Sequence, residues 1–317
     1  MTTKQLIAFA WLIGPGAALS AVASTITVNT YADTVGNNGK CSLREAITAA
    51  NTNTASGAMA GECVAGTTAL DTIVFNVAEF CPVSGCVISL LSALPDINSA
   101  MSIVGPGSGF LAVQPAGGAK IRIFNVSNGD PTTPSTISGF TIRNGDILDV
   151  GGGGGVRSGA PVLNLTDCVF RNNKVTGTTN SREGGGLLIV AGTVNVTNCT
   201  FTQNAARRGG GIYDNGTLIA AGSTFTANTA GSSNSNGQGG GIADGSSATT
   251  TVTDCMFSDN FAGERGGAIL IGIGNTVTVT GSTLTALTNR EAGAERSATS
   301  QPATSSTAPL PETWPGK

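Results

Sequence analysis

Two carboxylates in this chain are placed where a repeat could bring them together. Asp214 and Asp244 end the matching segments "GGGIYD" and "GGGIAD". Acids stacked at equivalent positions would repel, which raises one pKa or recruits a cation. The corresponding residues of the neighbouring segments are Ile189 and Ile271, so the cluster stops at two acids. Ca²⁺ prefers six to eight oxygens, so a turn-capping role suits these side chains better. A second polar series precedes the glycines: Glu183, Arg208, Gln238 and Arg265, with Arg182, Arg207 and Glu264 beside it. An enzyme could use an arginine here. Mixed signs on an exposed turn more often form surface pairs worth ~0–1 kcal/mol each. The run "GGGGG" at 151–155 lacks the Lys-Ser/Thr and the helix that a phosphate loop requires. There is no His, which removes His triads, His metal ligands and His bases. No residue is assigned a catalytic, cofactor-binding or metal-binding role, and no cofactor is expected.

These polar residues recur because the chain recurs. Aligning on Phe gives Phe170, Phe201, Phe225 and Phe257, with Leu284 as a weakened fifth. An Asn follows three places on, at Asn173, Asn204, Asn228 and Asn260, and glycine runs then lead to Val156, Leu187, Ile212, Ile242 and Ile269. Repeats of this length mark a solenoid, in which each unit buries its apolar face by stacking on its neighbours. Within a unit the apolar residues alternate, as in Val194-x-Val196 and Cys199-x-Phe201, so the units are short strands, about three per unit. Stacked parallel strands lie about 4.8 Å apart, which places like residues in columns. The Phe column fills the core, the Asn column satisfies turn backbone, and the glycines allow sharp, close turns. Phe140 and Asn144 look like a degenerate first copy.

The rest of the chain gives the solenoid its ends and its setting. Of 317 residues only 11 % are charged, 46 are Gly, and the net charge is −3. That balance, with no long basic run, argues against a nucleic-acid partner. Residues 1–23 have the form of a signal peptide: Lys4, the apolar "LIAFAWLIG", and Ala21-Val22-Ala23. An exported chain meets oxidising conditions, so Cys41 with Cys63, and Cys81 with Cys86, are expected to be disulfides. Cys168, Cys199 and Cys255 alternate with Ser223 and Ser282 ahead of the Phe column and read as small inward packing residues. "CSLREAITAAN" predicts the one helix, with Ser42 and Glu45 as a capping box and Leu43, Ala46, Ile47 and Ala50 on one face. It would cover the open end of the strand stack. The expected organisation is a signal peptide at 1–23, an N-terminal region with its capping helix at 24–66, a β-helix at 67–285, and a disordered or aberrant tail at 286–317.

The paired pattern F-x-x-N and G-G-[AG]-[ILV] resembles the repeat of the chlamydial polymorphic outer-membrane proteins. "CSLREAI" resembles the N-terminal signature of a group of bacterial exported β-helix proteins. Together they cover about residues 25–284. The resemblance implies an all-β, right-handed parallel β-helix of the pectin-lyase type, secreted or displayed at the cell surface, with adhesive or passenger roles in some relatives. The polymorphic proteins continue into a membrane β-barrel, which nothing after Leu284 could form here.

The expected role is non-catalytic surface display or adhesion by an exported protein, extracellular or on the outer-membrane surface. Its partner would be a host or neighbouring-cell protein or glycan, and no transmembrane segment is expected in the mature chain. The variable loops Lys174–Glu183 and Thr229–Gln238 are the places where specificity could reside. Two alternatives remain. One is a Ca²⁺-dependent polysaccharide lyase; the other is a truncated remnant of a longer surface protein, suggested by the failure of the repeat after Leu284. Outside the signal and tail there is no Trp, and Tyr31 and Tyr213 are the tyrosines, which is poor provision for a sugar-binding groove.

Overall fold

A computed structural model describes residues 22–81, 85–148, 151–177, 182–231, 237–285 and 288–289. The strands form four parallel sheets, visited in a fixed order by each coil. Sheet I has nine strands, from Thr25–Val28 to Thr276–Thr280. Sheet II has eight and includes Val169–Arg171; sheet III has six and includes Lys174–Thr176; sheet IV has six and includes Leu187–Ile189. The architecture is the expected all-β parallel solenoid. Each repeat carries four strands where three were expected. The additional strand, on sheet III, shrinks to Ala205–Ala206 or Phe261–Ala262, too short for alternation to reveal. Parallel pairing continues to Thr288–Asn289, which lies against Phe261–Ala262. Most of the signal-like segment, and the tail from 290 onward, lie outside the described residues.

The columns follow the register. Phe170 pairs with Phe201, Phe201 with Phe225, and Phe225 with Phe257. Their rings stack at centroid separations of 4.4, 5.1 and 4.6 Å with interplanar angles of 7° or less. Each is fully buried, and each buried ring stabilises the coil by ~1.5–3 kcal/mol. The partner of Phe170 on the preceding coil is Ile142, not Phe140. Gly145 donates its N–H to Asn173 Oδ1, as Asn173 N donates to Asn204 Oδ1. The degenerate first copy is therefore Ile142 and Gly145, and Phe140 and Asn144 lie out of register with the Phe and Asn columns.

The Asn column is a continuous hydrogen-bond chain. Asn204 accepts from the backbone N–H and the Nδ2 of Asn173, and donates its own Nδ2 to Phe170 O at 2.9 Å. Asn228 and Asn260 repeat the pattern. Four fully buried amides thus satisfy one another and the turn backbone. The glycine runs divide the labour. Gly184, Gly209, Gly239 and Gly266 have φ between 62° and 68°, the left-handed region. At Gly185, Gly210 and Gly240, the next glycines of the first three runs, a Cβ would strike backbone: at Gly210 it would meet Gly240 O and Thr229 O at 2.6 Å.

At the N-terminal end the helix Leu43–Thr52 packs on Thr25–Val28 and Asp71–Phe75. Both halves of the capping box form, and Leu43, Ala46, Ile47 and Ala50 are buried. Cys41–Cys63 and Cys81–Cys86 are disulfides, while Cys168, Cys199 and Cys255 are free and buried. One further helical turn, Val77–Phe80, was not expected.

Candidate functional site

Asp214 and Asp244 stand side by side on sheet IV, in strands Ile212–Asp214 and Ile242–Asp244. Side chains two apart on a strand share a face, so each Asp points the same way as the core residue Ile212 or Ile242. Ile189, the partner of Asp214 on the coil before, lies in the hydrophobic core. The acids therefore project into the coil, and they are 0 % and 5 % exposed. Asp214 does cap a turn, since its Oδ1 accepts the Gly216 N–H at 2.7 Å. Its other oxygen and Asp244 meet at a hydroxyl that the sequence reading missed.

That hydroxyl belongs to Thr250. It lies 2.8 Å from Asp244 Oδ1 and 3.2 Å from Asp214 Oδ2. A hydroxyl has one proton and can donate to only one of the two carboxyls; the second contact becomes a hydrogen bond only when that carboxyl is protonated and donates back. Burial pushes both acids up to about 6, and for Asp244 the charge of Asp214 adds to the effect. Asp244 Oδ2 is buried without a partner among the described residues. Thr250 stands in a column in which Leu163, Val194, Leu218 and Val277 are apolar and Ser135, at the N-terminal side, is the other hydroxyl. A Thr at an inward apolar position was the available signal, hidden in the run "ATTTVT".

The second series also forms one column: Glu183, Arg208, Gln238 and Arg265 are joined by parallel bridges. Arg208 pairs with Glu183, Gln238 donates to Glu264 Oε2 at 3.1 Å, and Arg265 lies 3.4 Å from Glu264. The column is less exposed than expected at its centre. Arg208 lies over the ring of Tyr213, 4.9 Å from its centroid, and Tyr213 is only 3 % exposed. Burial raises the pKa of Glu183 against the pull of Arg208 and Arg207. The arginine, acid and tyrosine hold one another and cover the outer face of sheet IV. Among the described residues, no group of three or more His, Cys, Asp or Glu side chains is gathered where a metal could bind.

Asp214 and Asp244 are thus brought together inside the coil. The ionic column runs past them on the outside, separated by the wall of sheet IV. Searches of curated proteins and of solved structures give no match. The family described as "Right handed beta helix region" matches residues 116–301, more than half of the chain. With its parallel sheets and stacked columns, the chain belongs to the right-handed β-helix family.

Proposed function

We propose that this chain is an exported, non-catalytic β-helix that presents its longer loops for adhesion at a surface. The carrying observation is that the only closely paired acids on sheet IV among the described residues point inward, shielded by Thr250 and the coil wall. An extended polymer outside the coil would have no direct access to them. The longer connections lead from sheet III to sheet IV. They run from Thr176 to Glu183 and from Ala230 to Gln238, and end on the two members of the bridge column that flank Arg208. The coil between them turns through Arg207 alone, so the two longer connections stand two rungs, roughly 10 Å, apart. Residues 178–181 and 232–236 of these loops lie outside the described residues. Among the described residues no helix is long and apolar enough to cross a membrane.

The test replaces both loops with the short Ala206–Arg208 turn and measures attachment of the purified protein to a panel of cell surfaces. Attachment should fall on at least one surface; unchanged attachment to all of them would sink the proposal. Incubation with polygalacturonate and Ca²⁺ provides the second arm. Ultraviolet absorbance from an unsaturated product would replace adhesion with lyase chemistry.

A further inference from the structure

The chain carries a net charge of −3, yet one corner of the solenoid is cationic. Arg143 and Arg171 are register partners on the outer face of sheet II, so two arginine side chains leave adjacent rungs about 4.8 Å apart at the backbone. Like charges so placed repel. No carboxylate intervenes: Arg143 donates to the neutral Gln114 Oε1 at 2.8 Å, and the Arg171 side chain has no hydrogen bond or ion pair among the described residues. A shallow cleft runs beside them and includes Phe110, which is 51 % exposed.

Each arginine is followed by an asparagine at the turn into sheet III, Asn144 and Asn172, both with left-handed φ near 60°. A second cleft opens there, lined by these amides and Gln203 together with Lys120, Asp146 and Lys174. Asp146 is buried and organises the cleft. Its Oδ1 accepts from Thr176 Oγ1 at 2.9 Å, while its Oδ2 pairs with Lys120 and, at 3.3 Å, with Lys174. Both ammonium groups are held in place by one carboxylate, yet their side chains remain about half exposed (51 % and 49 %). Across the two clefts four cations face one acid, an excess of three positive charges.

We propose that this corner binds an acidic polysaccharide, its carboxylate or sulfate groups lying between the stacked arginines and at the paired lysines. The surface offers three chemistries in sequence: cations for the acid groups, amides for hydroxyls, and one aromatic face for an apolar ring face. A single-stranded nucleic acid would instead call for several stacking platforms, and Phe110 is the one aromatic in these clefts. The site lies on the opposite side of sheet III from the loop connections and does not depend on the adhesive reading above.

The experiment titrates the full chain, with both loops intact, with heparin, polygalacturonate, neutral dextran and single-stranded DNA at low and high salt. Heparin, polygalacturonate or both should bind, with binding lost as salt rises, and the two arms separate sulfate from carboxylate recognition. R143Q/R171Q and K120Q/K174Q should each weaken binding by tenfold or more. Hydrogen exchange on the unmodified protein, with and without glycan, guards against variants that misfold. Protection should concentrate at 110–120, 141–146 and 169–174. Failure of both acidic glycans to bind, equal affinity for DNA or dextran, or protection elsewhere would each overturn the assignment.

Discussion

Asp214 and Asp244 share the hydroxyl of Thr250 inside the coil, and that single proton cannot satisfy both carboxylates. In the folded chain both acids are raised from 3.8 to about 6. The native state therefore holds more protons than the unfolded state between those values. The corresponding stability is fully present below about pH 3.8 and is lost as pH rises through about 6. The change is on the order of 3 kcal/mol for each acid. Urea denaturation from pH 4 to 8 should show these coils weakening toward neutrality, and D244N should flatten the profile. A flat profile for the unmodified protein would mean that the pair does not share a proton.

A buried amide column predicts a different kind of loss. Replacing Asn204 with Leu keeps the bulk but strands the N–H of Asn173, leaves its Nδ2 with only the bond to Ile142 O, and removes the amide donor to the carbonyl of Phe170. Each buried unsatisfied group costs about 1–3 kcal/mol. Solenoid stability is set by neighbouring coils, so the damage should be local. Hydrogen exchange should accelerate most around residues 170–175 and 201–206, while the N-terminal helix keeps its protection. Uniform acceleration along the chain would contradict the nearest-neighbour picture.

The glycine column permits a paired comparison. Gly210→Ala would push a Cβ to within 2.6 Å of two backbone oxygens that cannot move without shifting a coil. Gly129 has open space at its Cβ position and no left-handed φ. G210A should lower the thermal midpoint sharply, whereas G129A should stay within about 0.5 kcal/mol of the parent. Equal behaviour of the two would rule out close coil approach as the reason for the glycine run.

The columns were legible in the sequence wherever a repeat keeps the same residue type at the same offset. Phe201, Asn204 and the glycines before Ile212 reveal themselves by recurrence, and so does the Glu183–Arg265 series. What escaped detection breaks the pattern. Thr250 is one threonine among several, and only its inward register makes it unusual. Ala205–Ala206 is too short a strand to alternate. Arg143 and Arg171 share one offset only when the preceding coil is aligned on Ile142, and Lys120 and Lys174 sit at other offsets, so an alignment on Phe does not bring the four together. Their proximity arises from the turn between sheets II and III. Phe140 misled because an aromatic two places early still faces inward on its strand's neighbouring turn, where it packs edge-on against Phe75.

The N-terminal segment shows how a short motif can be decoded residue by residue. Ser42 and Glu45 close the capping box, Leu43 enters the core, and Cys41 is tied to Cys63. Arg44 grips Asp33 through two parallel bonds of 2.9 and 2.8 Å, and its remaining donors reach Ala93 O and Ser92 O. Asp33 also accepts the Leu91 N–H at 2.7 Å, so one ion pair locks the cap helix to the first coils. The Asp33 side chain is 1 % exposed and that of Arg44 14 %, which places the pair among buried ones. Removing one partner of such a pair costs about 3–5 kcal/mol, because the other is left buried and charged. Arg44→Ala should therefore loosen the cap, with proteolysis beginning near residues 30–60 before the Phe-column coils open. R44K should recover only part of the loss, since an ammonium cannot reproduce the two-bond fork. Full recovery by lysine would show that charge alone, without the guanidinium geometry, holds the cap in place.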